Sequence, residues 1–351
     1  MARAVELARG GWGQVAPNPL VGAVVVRDDR VIGEGYHARY GEAHAEVGAL
    51  HAAGSRARGA TLYVTLEPCA HFGKTPPCVD AIVASGVSRV VVAVRDPNPQ
   101  AAGGIERLQA AGVTVDVGIG AAAATELNAA FLAGFSRTRP WVTLKMAVTL
   151  DGAIADGTHT TSRVTGPAAR RYAHQLRAGH DAVAVGMATV RIDDPQLTVR
   201  EGPAPRVPPT RVIFSRNGRL SLTSTLANSL RQGPVIVTAY EVDPGYEHLL
   251  RQAGVEVVMG GDLPEVLDAL GARGIRSILV EGGADLAAAL LEARLVDRLV
   301  LVQAPVVFGQ GSLGAFSHLA SRRAEDAPRW RVVARELLGD DIATTYAVQE
   351  G

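Results

Sequence analysis

Cysteine is nearly absent: Cys69 and Cys78 are the only two thiols in 351 residues. So few thiols are usually inert and buried, and a disulfide between them would suit a secreted chain. The opening residues Met1-Ala2-Arg3-Ala4-Val5-Glu6 lack the charged start and apolar core of a secretory leader, so reduced thiols in a cytoplasmic protein are expected. No apolar run approaches the ~20 residues of a membrane span. The longest, such as 90–94, are strand-sized. Net charge is also missing, with 35 basic and 35 acidic residues, which removes any global pull toward nucleic acid. No internal repeat or low-complexity stretch is evident beyond the alanine-rich 121–130. What remains is a soluble globular chain long enough for about two domains. Its partner is expected to be a small molecule, with assembly into a homo-oligomer left open.

Against that background the two cysteines gain meaning from their neighbours. His44-Ala45-Glu46 precedes Pro68-Cys69, and eight residues separate Cys69 from Cys78. A catalytic zinc takes about three His and Cys ligands and keeps one position open for water, whose pKa it lowers. His44, Cys69 and Cys78 supply that set, and Glu46 is then a proton shuttle. The pattern is that of zinc nucleobase deaminases, in which an H-x-E is followed by a P-C-x-x-C, but here the cysteine spacing is eight instead of two. A purely structural zinc would close with a fourth protein ligand and need no nearby acid, so Glu46 separates the two possibilities.

Apolar runs alternate with helical patterns, which predicts α/β architecture. Val21–Arg27 and Val31–Tyr36, joined at Asp28-Asp29, read as a hairpin. Ala43–Ala53 reads as a helix carrying His44 and Glu46 in its first turn, followed by a strand over Thr61–Glu67. A helix over Cys78–Ser85 stops at Gly86, and Arg89–Val94 is a further strand. Cys78 thus opens a helix, where backbone N–H groups favour thiolate. The stretch 105–111, a strand over 113–117 and one helix over 122–134 complete a first domain. The polar, proline-ended segment 136–140 reads as a linker, placing the cut near residue 139 and the domains at 1–139 and 140–351.

In the second half, Glu281-Gly282-Gly283 lies between a strand (277–280) and a helix (284–291). Glycines there let backbone N–H groups approach a phosphate at a helix N-terminus, although such a turn is usually only a turn. Gly118-Ile119-Gly120-Ala121-Ala122-Ala123 also fits a dinucleotide fingerprint. No acidic residue follows ~20 positions later to hold a ribose, so it reads as an ordinary connection.

The run from Thr65 to Cys78, with its long loop between the two cysteines, resembles the deaminase half of the bifunctional deaminase-reductase family of riboflavin biosynthesis. Segments 18–22, 35–37 and 95–99 are similar to that family, and the likeness continues through 141–152, 189–200 and 279–286, so it covers almost the whole chain. It implies an N-terminal cytidine-deaminase-like α/β/α domain plus a C-terminal dihydrofolate-reductase-like α/β domain. It also implies zinc and NADPH as cofactors. By the same resemblance Asn18, His37, His71 and Lys74 line the deaminase pocket. Ala147, Arg163, Thr189, Asp193, Ser215, Gly283, Ala284 and Asp285 contact NADPH, and Lys145, Thr161, Arg177, Leu197, Arg200 and Glu281 hold the substrate. A planar guanidinium at Arg177 or Arg200 can grip a ribose phosphate bidentately. Arg163 stands where the family usually has Trp, and Ser215 where Asp is usual. Segment 100–105 lacks the basic residue normally set between its glycines. The implied chemistry is zinc-dependent hydrolytic deamination of 2,5-diamino-6-(5-phosphoribosylamino)pyrimidin-4-one, followed by NADPH-dependent reduction of the ribose. The alternative is a zinc deaminase whose second half serves another phosphoribosyl or pterin-like compound, or has lost its reductase activity.

Overall fold

The computed structural model describes residues 1–158 and 163–349. Two units pack separately, Met1–Arg137 and the chain from Thr138 onward. The division falls inside the polar segment 136–140.

In the first unit, helix α1 (Ala2–Ala8) leads to the hairpin β1 (Gly22–Arg27) and β2 (Arg30–Tyr36). Asp28 and Asp29 turn it with φ of 50° and 56°, a left-handed pair matched to the twist of the strands. Then come α2 (Ala45–Ala53), β3 (Thr61–Leu66), α3 (Cys78–Ser85), β4 (Arg89–Val94), α4 (Gly104–Ala110) and β5 (Thr114–Val117). The strand order is β2-β1-β3-β4-β5. The hairpin and β3 pair antiparallel, whereas β3, β4 and β5 run parallel. Leu62, Val64, Val90, Val92 and Ile82 fill the core beneath the helices. A side chain at Gly35 of β2 would put its Cβ 2.5 Å from the Ala45 carbonyl, so α2 lies almost directly on the strand through its small residues Ala45 and Ala49. That close approach carries the His44–Glu46 corner to the end of the sheet.

The single helix expected over 122–134 is instead two, α5 (Ala121–Leu127) and α6 (Ala129–Ala133). Asn128 divides them. Its amide is buried, accepting the Leu20 N–H and donating to the Leu20 carbonyl, both at 2.8 Å. Satisfying a buried amide outweighs continuing a short alanine helix.

The second unit starts with β6 (Trp141–Val148) and β7 (Ala153–Ala155), then α7 (Pro167–Ala178), β8 (Ala182–Gly186) and α8 (Met187–Asp193). It continues with β9 (Thr210–Phe214), β10 (Val235–Ala239), α9 (Pro244–Gln252), β11 (Glu256–Met259), α10 (Leu263–Gly271), β12 (Ser277–Glu281), α11 (Ala284–Glu292), β13 (Arg298–Gln303), β14 (Leu313–Gly314), β15 (Trp330–Leu338) and β16 (Asp341–Val348). Nine strands form one sheet in the order β11-β10-β9-β8-β12-β6-β13-β16-β15. It is parallel through β13 and closes with the antiparallel pair β16 and β15. Near-continuous apolar strands such as Val183-Ala184-Val185 and Ile278-Leu279-Val280 are buried on both faces, as parallel sheets require. Strand β12 enters late, between β8 and β6, so its C-terminal end is flanked by the ends of two strands formed more than 90 residues earlier. In open parallel sheets that edge is where ligands bind.

Candidate active sites

His44 immediately precedes α2 with an extended backbone (φ −75°, ψ 162°), one residue outside the first turn predicted for it. This position explains how His44 and Glu46, two apart, serve one place: only Glu46 obeys the helical rotation. Cys78 is the first residue of α3, and Cys69 lies in the turn after β3. His44 Nδ1 is 3.2 Å from Cys78 Sγ and 3.5 Å from Cys69 Sγ, and the three ligand atoms lie within 4.8 Å of one another. Tetrahedral zinc, with bonds of about 2.0–2.3 Å to N and S, spaces its ligands roughly 3.5 Å apart, so the donor set fits the ion. Both cysteines are buried and free. A hydrogen bond from Cys78 chiefly lowers the Cys69 thiol pKa; burial opposes it and His44 assists, so Cys69 is the first of the pair to become thiolate.

Glu46 is buried beside them. Burial pushes its carboxyl up to about 6, against the pull of His44. A group poised there can take and return a proton near neutral pH.

Around this centre the structure gathers several of the residues expected to line the pocket. The His37 ring meets His44 edge-on, with centroids 5.2 Å apart. His37 Nδ1 faces the Ala43 carbonyl at 3.3 Å and so donates, leaving Nε2 to accept from the Asn18 amide at 3.2 Å. Burial lowers the His37 pKa and keeps that neutral tautomer. His71 and Lys74 are exposed on the loop between the cysteines, with the Lys74 ammonium 4.3 Å from the Tyr40 ring centroid.

Two contributors were not singled out from the sequence. Thr75 Oγ1 lies 3.4 Å from His44 Nε2, where an acceptor orients a ligating imidazole. Glu67 is buried and accepts the backbone N–H groups of Asp96, Gly103 and Ile105 at 3.2, 3.0 and 3.2 Å, tying the Pro68-Cys69 turn to the 96–105 segment. Gly104 is part of that tie, since a Cβ there would meet the Pro68 carbonyl at 1.8 Å.

In the second unit several of the expected residues lie at the C-terminal ends of β6, β8, β9 and β12. Lys145 pairs in register with Glu281, and Ala147 lies two residues further along β6. Arg177 of α7 grips Glu281 through both guanidinium arms, Nε to Oε1 at 2.5 Å and Nη2 to Oε2 at 2.8 Å, and gives Nη1 to the Thr198 carbonyl at 2.9 Å. Burial alone would raise the Glu281 pKa, but Arg177, helped by Lys145, holds it at about 2. Burial lowers the Lys145 pKa, with Glu281 opposing. Leu197 is buried in the left-handed conformation, φ 55°. Arg200 is exposed, and both residues line a shallow cleft with Pro205, Pro208 and Gln232.

Strand β12 ends at Glu281, Gly282 turns, and Gly283 opens the nine-residue α11 with extended backbone. A Cβ on Gly283 would sit 3.4 Å from Thr189 Oγ1. The backbone therefore approaches the first turn of α8 without a side chain between, the cradle a cofactor phosphate requires. Ala284 is buried behind this turn, while Asp285 is exposed and contacts His318. Asp193 is exposed one turn beyond Thr189. Ser215, just past β9, is buried and its hydroxyl accepts the Gly218 N–H at 3.0 Å. Arg163 is exposed ahead of α7. Thr161 lies outside the described residues.

Fold and sites together define a zinc-binding deaminase joined to a mixed α/β reductase unit. Residues 1–94 match the cytidine and deoxycytidylate deaminase zinc-binding region, and residues 140–344 match the RibD C-terminal domain. The riboflavin biosynthesis protein RibD of Aquifex aeolicus is 42% identical over 99% of this chain and 97% of its own length. That of Escherichia coli is 39% identical over 97% and 96%. Among solved structures, Acinetobacter baumannii RibD superposes with a TM-score of 0.84 at 39% identity, covering 99% of this chain and 98% of its own. A diaminohydroxyphosphoribosylaminopyrimidine deaminase/5-amino-6-(5-phosphoribosylamino)uracil reductase from Thermotoga maritima does so with 0.83 at 37%, covering 99% and 97%. The chain belongs to the RibD family, the bifunctional deaminase-reductases of riboflavin biosynthesis. Zinc serves its deaminase half and NADPH its reductase half. No helix among the described residues is long and apolar enough to cross a membrane.

Proposed function

We propose that residues 1–139 deaminate 2,5-diamino-6-(5-phosphoribosylamino)pyrimidin-4-one and that residues 140–351 reduce the deaminated product to its ribityl form. When bound, zinc supplies Lewis acidity that brings the pKa of water toward neutrality, and NADPH supplies the hydride. His44 Nδ1, Cys69 Sγ and Cys78 Sγ hold the metal. Glu46 removes a proton from the attacking water and delivers it to the amino nitrogen at C2, whose bond to carbon breaks to release ammonia. Asn18 and His37 bind the pyrimidine edge beside it, and His71 and Lys74 reach from the loop toward the phosphate.

In the second half, Gly283, Ala284, Asp285 and Thr189 receive the cofactor, with Ala147, Asp193, Ser215 and Arg163 at its margins. Hydride enters at C1 of the ribose, the bond from C1 to the ring oxygen breaks, and that oxygen takes up a proton. Lys145, a half-buried ammonium of lowered pKa beside Glu281, is the donor we assign to it. Because the Arg177 fork is engaged by Glu281 and the Thr198 carbonyl, Arg177 orders the site, and the exposed Arg200 anchors the phosphate beside Leu197. The free thiols fit a cytoplasmic setting, and a homo-oligomer is compatible with this reading.

The observation that carries the proposal is the convergence of one imidazole and two thiols beside a buried carboxyl. Metal analysis with assays of ammonia release and NADPH oxidation on the purified protein tests it. About one zinc per chain and both activities are expected; metal-free protein that releases ammonia at full rate would overturn it.

A further inference from the structure

His174 takes no part in the chemistry above, yet its place is well defined. It is buried in α7, three residues before Arg177, so the two side chains share one face of the helix. Both reach the same short segment. Arg177 donates to the Thr198 carbonyl at 2.9 Å, and His174 Nδ1 accepts the Arg200 backbone N–H at 3.2 Å.

That segment has little hydrogen bonding of its own beyond Arg200 Nη1 donating to Gln196 Oε1 at 2.6 Å. Leu197 has φ 55°, a conformation that an L residue with a branched side chain adopts only where its surroundings impose it. No ladder or helix bond holds 195–200, which belongs to no regular element. Leu197 is anchored from below by its buried side chain among Val183, Val185 and Ile213, and the two α7 side chains clamp the backbone that follows. Arg177 is itself braced by Glu281 at the end of β12. Helix α7 therefore ties the segment bearing Leu197 and Arg200 to the strand that leads into the Gly282-Gly283 turn.

We infer that His174 is a positioning residue of the reductase: by accepting the Arg200 N–H it sets the backbone from which the Arg200 side chain meets the substrate's phosphate. The imidazole acts through Arg200 and touches neither substrate nor cofactor. The inference rests on the proposed role of Arg200 as the anchor.

Steady-state NADPH oxidation with the deaminated phosphoribosyl substrate, measured for His174→Ala, His174→Asn, His174→Gln and Arg200→Ala, tests it, with a circular-dichroism melt on each. Losing one neutral hydrogen bond should raise the substrate KM of His174→Ala roughly five- to tenfold, with kcat and the NADPH KM within about twofold of wild type. Asparagine places its carbonyl oxygen near the Nδ1 position and should restore KM, whereas glutamine, whose oxygen lies further out, should not. If His174→Ala fails to fold, the contrast between Asn and Gln decides the matter alone. A raised KM in Arg200→Ala with a normal KM in folded His174→Ala, or equal KM values for Asn and Gln, would overturn the inference. A normal KM in Arg200→Ala would instead remove the anchor role on which it stands.

Discussion

Two glutamates, one at each proposed site, have been driven in opposite directions. Glu46 lies among an imidazole and two thiols, with no cation of fixed charge against it, and burial lifts its carboxyl to about 6. Glu281 is largely enclosed, with 15% of its side chain exposed, yet the bidentate Arg177 and the neighbouring Lys145 hold it near 2. Burial disfavours the charged carboxylate in both places, and the partner decides whether that effect survives. A carboxyl that can change its proton near neutral pH suits a shuttle. One pinned as an anion suits a fixed post that orders cations and positions a ligand. On the proposed reading, the two halves use the same side chain for chemistry in one site and for architecture in the other.

The largest effect should come from breaking the deaminase centre outright. Cys78→Ser removes one of the three proposed ligands, so zinc and ammonia release should both be lost while NADPH oxidation persists. Stoichiometric zinc in that variant, measured by metal analysis, would strike Cys78 from the ligand set. Next in size is Glu46→Gln, which should keep its zinc and lose roughly two to four orders of magnitude in deamination rate. Loss of the metal along with the rate would make Glu46 a ligand instead.

Glu281→Ala addresses the other carboxyl. It leaves the half-buried Arg177 and Lys145 without their anion; breaking a fully buried pair costs about 3–5 kcal/mol, and this largely enclosed pair should cost somewhat less. A thermal or denaturant melt should register that loss, and a melt equal to wild type would show that the pair does not order the unit. A milder change separates charge from shape. The folded pKa of Glu281 is depressed from 4.5 to about 2, so its contribution is complete above about pH 4.5 and fades as pH falls toward 2. By linkage this amounts to about 3 kcal/mol. Glu281→Gln should flatten the stability-versus-pH curve across that window, and a variant with the wild-type acid limb would assign the limb to other groups. The smallest effect is expected at Thr75. Thr75→Val removes the oxygen facing His44 Nε2 and should weaken zinc about tenfold in a chelator competition, whereas Thr75→Ser should not. Equal weakening by both would point to packing of the loop.

How far each half could be read beforehand follows from the same contrast. The deaminase centre is a set of scarce residue types within 35 positions, from His44 to Cys78, and its elements follow each other in sequence, so motif and chemistry coincide. Thr75 and Glu67 escaped because their partners, an imidazole nitrogen and three backbone N–H groups, are visible only once the chain is folded. The reductase depends on distant pairings. Arg177 and Glu281 are 104 residues apart, and the register that sets Lys145 beside Glu281 exists only because β12 enters between older strands. Asn128 broke a predicted helix for the same reason, its partner Leu20 being 108 residues away. The scarcity of lysine is a further signal in the sequence. Lys74 and Lys145 are the only lysines in a chain otherwise supplied with arginine, and each lies at one of the two sites. A flexible ammonium whose pKa moves on burial differs chemically from a guanidinium that stays charged.

The central claim is that two carboxyls serve two independent sites. The most direct test assays Glu46→Gln and Glu281→Ala side by side. Ammonia release is measured from the diamino compound, NADPH oxidation with the deaminated substrate supplied, and folding by circular dichroism. The account predicts a reciprocal pattern: Glu46→Gln loses only ammonia release, and Glu281→Ala loses only NADPH oxidation. A folded variant that lost both activities together would contradict it.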